Sequence, residues 1–260
     1  MKNSRMAGDA NSAPVLTSFG DGFKTLIFGA TGAIGGALSD AVGEQKNAGV
    51  IVTTARTISR FAAGDTHLAC DIADEASIAD VAKAVTEMAP FDLVINATGL
   101  LHDEAADVHP EKAIRQISAD AMARVFGVNA IGPALIMKYF LPLMARDKKV
   151  VMAHLSARVG SISDNRLGGW YSYRAAKAAQ NMLVRTAAIE FARRAPSAVI
   201  VGLHPGTVDS NLSAPFQGST PREKLFTPAQ AAAHLLNVIE NLSPADSGGC
   251  FAWDGARLDA

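Results

Sequence analysis

Two side chains in the run Tyr173-Arg174-Ala175-Ala176-Lys177 have the types and spacing to move a proton. At positions i and i+4 they share one face of a helix. An ammonium beside a phenol favours the phenolate, so the spacing predicts a tyrosine pKa lowered from about 10 toward working pH. Such a tyrosine can give a proton to a carbonyl oxygen or take one from an alcohol. On an isolated exposed helix the pair would mean nothing. Its context is a strand-like run from Val150 to Leu155 that ends at Ser156, and a glycine-rich segment far upstream.

That segment, Gly29-Ala30-Thr31-Gly32-Ala33-Ile34-Gly35-Gly36, lies between an apolar strand and a helical pattern. Backbone amides reach a pyrophosphate closely only where side chains are absent, and a helix N-terminus adds partial positive charge. Gly29, Thr31, Gly32, Ala33, Ile34 and Gly35 are therefore candidate cofactor ligands. Asp71 and Ile72 follow the third strand, and Asn96, Ala97, Thr98 and Gly99 close the fourth. All stand at carboxyl ends of strands, where a dinucleotide lies across an α/β sheet. The second strand ends in Thr54-Ala55-Arg56, with no carboxylate to hold a ribose 2′-hydroxyl. A guanidinium there can grip a 2′-phosphate through paired charge-assisted bonds, so NADP(H) is expected over NAD(H).

Those residues need a scaffold, and the sequence supplies one by alternation. Strand-like runs at 25–28, 50–55, 68–69, 92–96, 150–155, 199–203 and 250–251 are separated by helical patterns at 33–42, 74–88, 119–146, 171–194 and 227–240. Val- and Ile-rich strands between helices indicate a parallel sheet covered on both faces. The expected fold is one α/β domain over 23–260, a doubly wound Rossmann-like sheet of about seven strands. Residues 1–22 read as a loose polar tail, and 207–222 as the longest irregular stretch, fit for a loop over a substrate.

Composition closes off other classes. The 24 Lys and Arg residues against 25 Asp and Glu give no electrostatic footprint for nucleic acid or an anionic membrane. The apolar stretch 130–145 is too short to span a bilayer, and a cytoplasmic protein is expected. Cys70 and Cys250 form no cluster, while His154 and His204 lack partners at a metal-ligand spacing, so no metal site is expected.

Taken in order, the glycine loop, Asp71, Asn96-Ala97-Thr98-Gly99, Asn129, Ser156, Tyr173 with Lys177, and Pro205-Gly206-Thr207 resemble the short-chain dehydrogenase/reductase family, over essentially 24–253. Within it, Leu155 to Ile162, Gly168 to Arg174 and His204 to Thr207 look like the C-factor-like and sniffer-type carbonyl reductase branch. The resemblance implies an NAD(P)-dependent reductase of a ketone or aldehyde, with Tyr173 as general acid/base and Lys177 on the ribose hydroxyls. It further implies Ser156 on the substrate oxygen, Asn129 supporting a proton-carrying water, and Pro205, Gly206, Thr207 and Val208 beside the nicotinamide. Relatives carry a second serine where this chain has Ala157, which leaves Ser161 as a rival to Ser156. The substrate pocket is expected from 100–109, 161–170 and 207–222. Subunit pairing through the helices at 119–146 and 171–194 is implied, homodimer and homotetramer both remaining open. A non-catalytic redox sensor or C-factor-like signalling protein is the alternative. A sugar-nucleotide epimerase would call for a longer C-terminal region.

Overall fold

A computed structural model of the chain describes residues 14–57, 66–219, 221 and 224–259. Strands β1 (Phe23–Phe28), β2 (Ala48–Ala55), β3 (Thr66–Ala69), β4 (Leu93–Asn96), β5 (Val150–Leu155), β6 (Ala198–His204) and β9 (Cys250–Ala252) run parallel, with β10 (Arg257–Leu258) antiparallel at the edge. Their order is β10-β9-β6-β5-β4-β1-β2-β3, an eight-stranded sheet. The strand beyond the expected seven closes a hairpin over Trp253-Asp254-Gly255-Ala256, with Gly255 at φ 83°. Asp-Gly is a strong hairpin signal, but two paired residues are too few to show a period.

The β5 run shows why both faces must be covered. Val150 and Met152 point into one cluster with Ile136, Phe140 and Val184, from helices α4 (Gly132–Phe140) and α5 (Tyr171–Phe191). Val151, Ala153 and Leu155 point the other way, against Leu38 of α1 (Ala33–Gly43) and Leu235, Leu236 and Ile239 of α6 (Pro228–Asn241). Continuous apolar strands can be buried only between two helical layers. Chain order reverses between β1 and β4, so the crevice outside their carboxyl ends is the switch point of the sheet.

Three expectations need correction. Residues 14–22 are not a loose tail: Leu16 and Phe19 are buried in the α1–α6 cluster, and Ser18 N–H donates to Glu240 Oε1 at 3.0 Å. Residues 1–13 lie outside the described residues. The long helix is divided into α3 (Ala119–Phe126), a π-helical turn Gly127–Ile131, α4, and a 3-10 turn Leu141–Leu143. Taken together as Ala119–Leu143, these 25 residues are long and apolar enough to cross a membrane, and half of the most apolar stretch is buried inside the protein. The stretch 130–145 is short by itself, and α3 with the π-helical turn extends it to that length. Finally, the stretch after β6 carries two short paired strands, β7 (Thr207–Val208) and β8 (Leu225–Phe226), and a 3-10 segment at Ala214–Ser219. Thr220, Arg222 and Glu223 lie outside the described residues.

Candidate active site

The glycine turn brings α1 hard against the end of β1. A Cβ on Gly35 would stand 2.2 Å from Gly29 O, and Gly29 itself has φ +84° with Thr98 Cγ2 only 2.9 Å from where its Cβ would be. Thr54 O accepts both Gly29 N–H and Ala30 N–H, at 2.9 and 3.0 Å, tying the turn to β2. Gly32 caps α1 without a side chain, and no acidic residue stands in the first turn. The first-turn amides of Ala33, Ile34 and Gly35 are thus the orphan donors of a helix start, at the positive end of its dipole. This cradle fits a pyrophosphate.

It opens on a cleft of about 830 Å³ at the switch point. Of the residues singled out in the sequence, Thr31, Gly32, Ala33, Ile34 and Arg56 line one end, and Ala97, Thr98 and Gly99 the floor. Ser156, Tyr173, Lys177 and Pro205 line the other end. Asn96 sits beneath the floor, its Oδ1 accepting from Thr98 N–H at 3.1 Å and so folding the strand end over. Asp71 and Ile72 stay outside. Asp71 is exposed and spends Oδ1 on Ala73 N–H at 2.9 Å, a turn before α2 (Glu75–Ala84), while Ile72 packs into the core. Gly206, Thr207 and Val208 also lie beyond the lining; a Cβ on Gly206 would meet the Phe226 ring at 2.7 Å. The expected pocket segments 100–109 and 207–222 contribute Leu100 to Asp103 and Asp209 to Leu212 with Ala214, whereas 161–170 contributes none. Trp170 instead stacks edge-on against Phe216 and Tyr173, with ring centroids at 5.0 and 6.3 Å.

Tyr173 and Lys177 do share a face of α5, but not the electrostatics expected of them. Burial pushes the Tyr173 phenol up to about 12. Lys177 is buried too, and desolvation pulls its ammonium down to about 7, with Cys250 acting weakly the other way. Its Nζ donates to Leu155 O at 2.7 Å and to Gln180 Oε1 at 2.9 Å, and stands 5.8 Å from the Tyr173 ring centre. Two of the lysine's three N–H bonds are spent behind the tyrosine, leaving one for the cleft, and loss of water dominates both groups. Tyr173 is a neutral phenol at neutral pH, a proton donor.

The helix that carries the pair starts from Trp170, in the left-handed region at φ 52°. Glu111, itself buried, pins that start: its carbonyl accepts Trp170 N–H at 2.5 Å, and its carboxylate accepts Ser172 N–H at 3.2 Å and the Ser172 hydroxyl. Nothing in the sequence marked Glu111.

Ser156 lines the cleft, yet its hydroxyl donates to Asn181 Oδ1 at 2.7 Å. Ser161 is outside the cleft, with Oγ accepting Asp164 N–H at 3.2 Å. Ala157 packs in the apolar cluster that contains Tyr173 and Leu101. Asn129 sits in the π-helical turn, where the extra residue per turn directs it inward. Its Nδ2 donates to Leu100 O at 2.6 Å and Val125 O at 2.9 Å, and its Oδ1 accepts Leu100 N–H at 3.1 Å. Its donors are spent on the backbone, so the side chain anchors the end of the cleft floor. His154 lies fully buried under Asn96, pulled down to about 3 by desolvation and by Lys177, and is neutral. Among the described residues no group of His, Cys, Asp and Glu is placed to hold a metal.

The short chain dehydrogenase profile matches residues 24–219. The chain is 32% identical over 190 residues to 1-hydroxy-2-glutathionyl-2-methyl-3-butene dehydrogenase of Rhodococcus sp. strain AD45, covering 72% of this chain and 77% of that protein. It is 31% identical over 169 residues to C-signal of Myxococcus xanthus, covering 65% and 92%. Its fold is shared with the carbonyl reductase Sniffer of D. melanogaster (TM-score 0.78, 19% identity, covering 91% and 99%). It is shared equally with the NADPH-bound carbonyl reductase from chicken fatty liver (TM-score 0.80, 24% identity, 97% of each chain).

Proposed function

The chain belongs to the short chain dehydrogenase family, as an NAD(P)-dependent oxidoreductase, and from that premise we propose a carbonyl reductase that prefers NADPH. One observation carries the reading: the unsatisfied amides at the start of α1 and the Tyr173–Lys177 pair open on the same cleft. NADPH, when bound, supplies the hydride. The turn from Gly29 to Gly35 would hold its pyrophosphate, Arg56 its 2′-phosphate, Lys177 its ribose hydroxyls, and Pro205 the nicotinamide side.

Tyr173 gives its phenolic proton to the substrate oxygen. With the phenol at about 12, the proton runs downhill to an alkoxide whose basicity approaches that of hydroxide, the conjugate base of water at about 15.7. The same value makes phenolate scarce at neutral pH, so the tyrosine is populated in the protonated form that reduction uses. Near Tyr173 the cleft is walled by Leu100, Leu101 and Leu212, which suits a ketone or aldehyde with an apolar portion.

Tyr173→Phe keeps the ring and removes the proton. It is expected to bind NADPH unchanged and to lose roughly a hundred- to ten-thousandfold in turnover, followed by NADPH absorbance with a panel of carbonyl compounds. Undiminished turnover removes the mechanism. A native protein that binds NADPH and turns over no carbonyl is a redox sensor instead.

A further inference from the structure

Ser156 has a single proton, and in this structure it points away from the chemistry. Oγ donates it to Asn181 Oδ1 at 2.7 Å, across the gap between β5 and α5. Both side chains are buried, and the Cys250 thiol lies against the same hydroxyl. The junction is closely fitted. A Cβ on Gly202 of β6 would stand 3.3 Å from each of Asn181 Oδ1, Cys250 Sγ and Ser156 Cβ, so glycine leaves the room in which the three meet.

Asn181 also has a second side. It lines a cavity of about 330 Å³ between α5 and the β9–β10 hairpin, with Cys250 as the other inner wall. Its Oδ1 is spent on Ser156, and among the described residues its Nδ2 has no acceptor. An amide with one end engaged and the other unengaged can turn over by rotation about its last bond. Turned, Nδ2 donates to Ser156 Oγ and the serine's proton is released toward the cleft that Ser156 lines.

We propose that Asn181 is a positioning residue whose amide orientation decides whether Ser156 donates its hydrogen to the substrate oxygen. This rests on the proposed reductase reading and on the role that the family resemblance implies for Ser156, holding the substrate oxygen. An amide can serve both orientations. A carboxylate, which only accepts, holds the proton away from the cleft permanently. An apolar side chain of similar size leaves it unheld.

The test compares Asn181→Asp, Asn181→Leu, Ser156→Ala and Ser156→Ala/Asn181→Asp, with NADPH titration and circular dichroism to establish folding. Loss of a donor to a developing oxyanion costs on the order of a hundredfold or more in kcat. Asn181→Asp is expected to fall that far in kcat, as far as Ser156→Ala, with NADPH affinity kept and the double variant falling no further. Asn181→Leu is expected to stay within about tenfold of the native kcat, an order that a merely structural asparagine would reverse. Equal losses from Asp and Leu, or losses that multiply in the double variant, overturn the proposal while leaving Ser156 its role. Native turnover in Ser156→Ala overturns the role and the proposal together. Should Asn181→Asp fail to fold, a Leu variant that binds NADPH but has lost kcat a hundredfold overturns it alone.

Discussion

Gln180 is fully buried, and its Oε1 accepts a hydrogen bond from the Lys177 ammonium at 2.9 Å while its Nε2 donates to Leu155 O at 3.2 Å. Lys177 is already pulled down to about 7 by burial, so any acceptor that favours its charged form matters near neutral pH. A hydrogen bond to a charged donor is worth about 1.5–3 kcal/mol net, and about 1.4 kcal/mol moves a pKa by one unit. Replacing Gln180 by leucine removes that acceptor and is expected to lower the lysine by about one to two further units. Leu155 O, with its 2.7 Å bond, remains. The other groups facing Nζ are the neutral His154 on β5, the Cys250 thiol on β9 and the Tyr173 ring on its own helix. None of them replaces the lost acceptor. In the proposed complex Lys177 holds the ribose hydroxyls, a contact that is stronger when the lysine is charged, so NADPH affinity is expected to fall as pH rises through the lysine's pKa. Fluorescence titration of NADPH from pH 5 to pH 9, about two units either side of neutrality, reads the midpoint directly. It is expected near 7 in the native protein, about one to two units lower in Gln180→Leu, and higher than native in Gln180→Glu, whose carboxylate favours the charge. One midpoint shared by all three proteins would refute the role of Gln180, because burial is the same in each and only the acceptor changes.

Two further expectations follow from single side chains. Arg56 is exposed at the end of β2 and lines the cleft, so its grip on a 2′-phosphate is discounted for solvent to about 1–2 kcal/mol. Arg56→Ala is then expected to weaken NADPH about five- to thirtyfold and NADH hardly at all in competitive fluorescence titration, and equal effects on both cofactors would remove the arginine from recognition. His154 is held near 3 in the folded protein against 6.5 in model compounds, so below 6.5 the unfolded chain takes up a proton that the native one refuses. That contribution to stability is complete above the unfolded value and is lost as pH falls toward the folded one. Between pH 6.5 and two units below it His154 accounts for about 2–3 kcal/mol of acid destabilisation, which His154→Gln is expected to abolish in urea unfolding; an unchanged acid slope would place the loss elsewhere.

What the sequence makes legible is whatever has a period or a turn chemistry. Strand runs, the glycine turn and the i, i+4 pair all survive in the structure because each is local. The edge strand β10 has two residues and no period, and Leu16 and Phe19 sit in a segment whose composition is polar although those two positions are not. The sharper miss concerns burial. Spacing places Lys177 on the face of Tyr173, but it says nothing of water, and loss of water moves the two pKa values in directions the spacing does not predict. Yet a signal was there. On α5 the buried positions run Ser172, Tyr173, Ala176, Lys177, Gln180, Asn181, Val184 and Ala188, one continuous stripe at helical spacing. A stripe that packs on a sheet is expected to be apolar, and Gln180 and Asn181 stand in it directly after the lysine. Buried polar groups must find partners, and theirs are Lys177 and Ser156, the second reached from 25 residues away along the chain. Polar residues that interrupt an apolar stripe next to a reactive pair therefore mark the part of the site that lies behind the chemistry, where the orientation of each proton is settled.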